Sequence, residues 1–113
     1  MTPLIQRDTL DELLVALGDD FRGIVRLFVE QLDTERAGLD AAWAARDWPR
    51  LMRAAHSLKG SSGNMAAVAL SEAAARLERA AREQNAVAAE AALADVTRLV
   101  PETVRALVAG RYT

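Results

Sequence analysis

His56 is the only histidine of the 113-residue chain and stands in the run RAAHSLKGSSGNMAA, residues 53–67. An imidazole is largely neutral and nucleophilic near pH 7. Lys59, three residues on, lies beside the ring on a helix and puts a cation next to it. Gly60 follows one full turn after the histidine. In a continuing helix it costs about 1 kcal/mol relative to alanine, and a larger side chain there would crowd the ring. Close approach by another molecule would explain the glycine. From Pro49 through Ser71 the chain carries Arg50, Arg53 and Lys59 and no acidic residue, although its formal net charge is -2. His56 therefore sits in a locally basic stretch.

Other chemistries are set aside by composition. The chain has no cysteine, which removes disulfides, thiolate metal sites and cysteine catalysis. His56 has no carboxylate or second histidine at ligand spacing, so no metal site of its own is expected. A balanced charge does not suit general binding to a nucleic-acid backbone, which draws on many clustered cations. No segment approaches the roughly 20 apolar residues that span a bilayer, and the reading is of a cytoplasmic chain with no membrane contact.

The elements that must position His56 read as helical. Apolar residues make up 51% of the chain but aromatics only 4%, a pattern of Ala, Leu and Val that suits closely packed helices. Leu10, Leu13, Leu14 and Leu17 mark a short first helix, capped by Asp8 or Thr9 and stopped by Gly18. Asp19 or Asp20 then caps a long helix ending near Arg46. Its buried stripe comprises Phe21, Ile24, Val25, Phe28, Leu32, Leu39 and Trp43. Asp47 caps a third helix, with Pro49 tolerated in its first turn. Local propensity stops this helix at Lys59, since GSSGN is a cluster of turn formers. A fourth helix spans about Ala67 to Glu83, with Leu70, Ala73, Ala74, Leu77 and Ala81 on one face. From Ala86 the spacing of Val87, Leu93, Val96, Leu99 and Val100 continues a helix that Pro101 either kinks or restarts. Short connections imply antiparallel neighbours. The expected fold is all-α, one domain over residues 1–113, an antiparallel up-and-down four-helix bundle with an extra short N-terminal helix.

At about 100° per residue, Trp48, Leu51, Ala55, Leu58 and Ser62 form the core sector of the third helix. His56 falls roughly 110° from its centre by the same rule, at the boundary with solvent. Met52, Lys59, Gly60 and Gly63 flank it.

The residues AHSLKGSSGNMAA resemble the signature of histidine-containing phosphotransfer (HPt) domains, the modules of multistep two-component relays. Ala55, His56, Leu58, Lys59, Gly60, Ser61 and Ser62 match its pattern and Met65 takes its apolar position. Leu77-Glu78 is similar to its Leu-Glu pair on the following helix. Ala66 stands where the family usually has the glycine of a Gly-Ala pair. The resemblance carries the histidine helix past Lys59 to about Gly63 or Asn64.

The resemblance implies a phosphorelay intermediate. His56 would accept a phosphoryl group from the aspartyl-phosphate of a receiver domain, in a response regulator or hybrid histidine kinase, and pass it to another receiver. Lys59 would stabilise the moving oxygens, and Ser61 would hydrogen-bond Nδ1 and orient the ring. Met52, Arg53, Gly60, Gly63, Arg79 and Arg82 would form the docking surface, with Glu78 at its edge. The implied chain is a monomer without a cofactor or kinase activity, the Mg²⁺ belonging to the receiver. A histidine kinase is disfavoured because the chain has neither the length nor a glycine-rich motif for nucleotide binding. The remaining alternative is a helical adaptor in which His56 is incidental.

Overall fold

The computed structural model describes residues 2–113, in which helices alternate with short turns. They are α1 (Arg7–Leu17), α2 (Asp19–Ala44), α3 (Trp48–Asn64), α4 (Val68–Arg82) and α5 (Ala86–Ala109), with no strand among the described residues. α3 packs most extensively on α4, α4 packs on α5, and α2 closes the ring against both α3 and α5. α1 rests on α2 alone among the helices. This is the four-helix bundle with a short preceding helix that the spacing predicts.

Local chemistry accounts for the starts. The Asp47 side chain accepts the Arg50 N–H at 3.1 Å, and the Asn85 side chain accepts the Ala88 N–H at 3.1 Å. The expected caps of the first two helices differ from those observed. α1 starts after Gln6 with no side-chain cap, and Gly18, at φ 61°, ends α1 and precedes α2. Asp8, Asp19 and Asp20 instead lie in first turns, where carboxylates face the positive end of the helix dipole. Pro101 neither stops nor restarts α5, which runs on through it. The carbonyl left without a donor belongs to Thr97, which is exposed to water.

The ends of α2 to α5 share one device. Arg46, Ala66, Gln84 and Arg111 adopt φ of 51°, 55°, 53° and 64°. The next N–H then donates to a carbonyl five residues back: Asp47 to Ala42, Ala67 to Ser62, Asn85 to Ala80 and Tyr112 to Leu107, at 2.9–3.1 Å. These are left-handed C-terminal closures made without glycine. Ala66 thus forms the turn that the family pattern gives to glycine. Its left-handed backbone costs about 1–2 kcal/mol, offset in part by burial of its methyl group, since Ala66 is only 4% exposed.

Ala55, Ala73, Ala74, Ala81 and Ala89 are buried on α3, α4 and α5, while α2 supplies Phe21, Val25, Phe28, Leu32 and Leu39. Small residues let α3 and α4 approach closely, fixing the helix pair that carries the site. Trp43 is only partly buried and meets Trp48 edge-on at 6.0 Å. Ile24, about 60° off the centre of the stripe by helical rotation, is exposed. Val87, on the first turn of α5, is also exposed.

The two termini lock the bundle. Pro3 O accepts the Ala69 N–H and Ala66 O accepts the Gln6 N–H, at 3.1 and 2.9 Å, so the N-terminal segment caps α4, whose N-cap Ala67 has no side chain to do so. Tyr112 is buried, and its hydroxyl donates to Asp11 Oδ1 at 2.6 Å. Its ring lies against Gly110, where an added methyl group would come within 2.8 Å of Cδ2. Gly110→Ala should therefore lower stability by about 1–3 kcal/mol through overpacking, read as a lower urea midpoint at unchanged slope.

Candidate functional site

His56 lies midway along α3, its side chain 68% exposed, and its ring reaches across to α4. Nδ1 is 2.9 Å from Glu78 Oε2. An ionised carboxylate only accepts hydrogen bonds, so Nδ1 carries the proton, and in the neutral ring the lone pair is then at Nε2. Nε2 has no hydrogen-bond partner among the described residues. The ring is held at one nitrogen and open at the other.

Glu78 is the hub of the site. Its side chain is 9% exposed, and Lys59 Nζ donates to Oε1 at 2.8 Å while Arg82 Nη2 donates to Oε2 at 3.2 Å. The Lys59 hydrogen bond, aided by His56, holds the Glu78 carboxyl below the usual carboxylate range, against burial that pushes it up. The negative charge is thus kept beneath the ring. α4 also grips the backbone at this level, because Ser71 Oγ donates to Lys59 O at 2.9 Å. Lys59 is held by its main chain through Ser71 and by its ammonium through Glu78.

The resemblance assigns ring orientation to Ser61 and places Glu78 at the edge of the docking surface; in the structure the Nδ1 contact is made by Glu78 and not by Ser61. Ser61 is five residues from His56, about 140° around α3, and its hydroxyl donates to Leu58 O at 3.2 Å. It faces α2, where Glu35 lies within its reach. Glu78 takes the contact because α4 is antiparallel to α3 and packs on the flank bearing Lys59. Its spacing from Leu77 was visible in the sequence, but its partner was not. Ser71 had no sequence signal at all.

The other expected residues divide. Met52 is partly buried and borders a shallow cleft of about 170 Å³ with Trp48, Pro49, Ala81, Arg82 and Gln84. Gly60 and Gly63 are exposed. A Cβ at Gly60 would meet nothing within 4 Å, so no packing need of the chain itself explains this glycine. Arg53 is exposed and unpaired among the described residues, on the flank of His56 that Gly60 shares. Arg82 borders the ring through Glu78. Arg79 is exposed one residue of helical rotation from Glu78 and lines the groove between α4 and α5 with Ala80, Ala88 and Ala92.

No described helix is long and apolar enough to cross a membrane. The Hpt domain family model matches residues 23–110. Among solved structures, the chain is similar to histidine-containing phosphotransfer protein B (HptB) from Pseudomonas aeruginosa PAO1, with a TM-score of 0.89 and 29% identity over 97% of this chain and 95% of that one. No curated protein sequence matches it.

Proposed function

Because this chain belongs to the Hpt domain family and so has a phosphotransfer role, we propose that His56 is its phosphoryl carrier, loaded by one receiver domain and discharged to another. The observation that carries this reading is the ring held at Nδ1 by Glu78, 2.9 Å away, with Nε2 turned out to solvent. In the loading step the Nε2 lone pair attacks phosphorus. The P–O bond of the receiver's aspartyl-phosphate breaks, and its electron pair returns to the aspartate carboxylate. Nδ1 keeps its proton, and Glu78 balances the positive charge that the ring acquires.

Transfer of this kind has a loose, roughly in-line transition state and depends on positioning and charge stabilisation. Lys59 supplies a cation one turn from the ring, held ready by Glu78 and Ser71. Arg82 and Arg53 extend the positive field towards an acidic receiver pocket, whose Mg²⁺ belongs to the partner. A single site on one bundle needs one copy of the chain, and the relay would run among cytoplasmic receivers.

Gly60 gives this reading a test that separates function from stability. Gly60→Ala should stabilise the chain by up to about 1 kcal/mol, because alanine is the better helix former and has space. Gly60→Gln should weaken receiver docking several-fold, measured by titration calorimetry or as a raised KM for the phosphorylated receiver. Unchanged docking of the glutamine variant would remove Gly60 from the interface.

A further inference from the structure

The atom that orients His56 is a carboxylate, although a neutral amide would satisfy the same hydrogen bond. The charge matters most after the ring is loaded. A phosphohistidine with Nδ1 protonated releases neutral imidazole. One with Nδ1 bare must release imidazolate, a much stronger base and a poorer leaving group.

Given that His56 carries the phosphoryl group on Nε2, as proposed above, we infer that Glu78 keeps the loaded ring protonated at Nδ1 and makes this domain a short-lived carrier that discharges readily. In discharge the P–N bond breaks and its electron pair returns to Nε2. A P–O bond forms to a receiver carboxylate oxygen or to water, and in the second case the water's proton passes to phosphate. Nδ1 retains its proton throughout, under Glu78 Oε2.

The charged groups facing the ring fit this role. From α3 they are Lys59 and, on the other flank, Arg53; from α4 they are Glu78 and Arg82. Lys59 and Arg82 would oppose a positive ring, but both are bonded to Glu78, at 2.8 and 3.2 Å. A phosphoryl group brings about -1.5 to -2 of charge. It gives both cations a second anion, and as Arg82 turns to it Oε2 is left to Nδ1. Burial of Glu78 keeps its charge close to the ring and poorly screened by solvent.

The test phosphorylates the full chain with phosphoramidate, a small donor to imidazole, removes the donor and follows loss of phosphohistidine by ³¹P NMR between pH 5 and 9. An anion near Nδ1 raises its proton affinity, so lability should persist to higher pH than in Glu78→Gln. Opposite charges at this distance shift a titration by about one unit or more. Glu78→Gln should therefore live about tenfold longer at pH 8 by the same relation, with its rate falling off about one unit lower in pH. A second measurement needs no variant: the ¹⁵N titration of phosphohistidine Nδ1 in the folded chain should have its midpoint about one unit above that of the same chain in urea. Equal lifetimes and equal midpoints would overturn the inference while leaving His56 as carrier. Failure of the wild-type chain to take phosphate at His56 would overturn the carrier reading itself.

Discussion

Replacing His56 by glutamine should reduce phosphoryl acceptance from a phosphorylated receiver to background and leave the fold intact. The side chain is 68% exposed, and Glu78 keeps both Lys59 and Arg82 when the imidazole is gone. No buried charge is orphaned and no cavity opens. The change in stability should stay within about 0.5 kcal/mol, as for surface substitutions elsewhere. The adaptor alternative makes the opposite prediction, because a bundle that only binds would work equally well with glutamine. Urea denaturation beside a transfer assay separates the two outcomes.

Lys59→Ala should slow transfer about 100-fold, the lower end of what removing one charge-stabilising donor costs, with receiver affinity changed much less. The lower end applies because Lys59 is partly solvated and Arg82 lies on the same carboxylate. A rate loss at constant affinity would place Lys59 in the transition state, whereas an affinity loss at constant rate would make it a docking residue. The variant should also alter stability against pH. Lys59 is the main cause of the lowered Glu78 pKa. A carboxyl whose pKa is depressed on folding adds stability that is full above its unfolded value of 4.5 and is lost as pH falls through the lower folded value. Lys59→Ala should lose stability near neutrality and show a shallower decline below pH 4.5.

The sequence made the bundle legible because its helices are long and their apolar positions recur with helical period. It made His56 and Lys59 legible because a motif of consecutive residues needs only one helix to define it. What stayed hidden depended on two elements meeting. Glu78 and Ser71 reach the site only through the register of α4 on α3, which Ala55, Ala73 and Ala74 set by close packing and which no local spacing encodes. Ser61 was misplaced for the converse reason, since proximity in sequence is not proximity on a helix and five residues carry it to the far side. The left-handed ends at Arg46, Gln84 and Arg111 had no glycine to announce them. Local propensity stopped α3 at Lys59, whereas the helix runs to Asn64. Ser62 is buried on the core face and Ser71 bonds the Lys59 carbonyl, so tertiary packing overrides the weak propensity of that run.

The most direct test of His56 as carrier is incubation of the wild-type chain with a radiolabelled, phosphorylated receiver domain, followed by treatment of the product with acid and with base. Label should appear on the wild-type chain, be lost in acid and kept in base, and be absent from His56→Gln. Label that survives acid, or that His56→Gln accepts equally well, would contradict it.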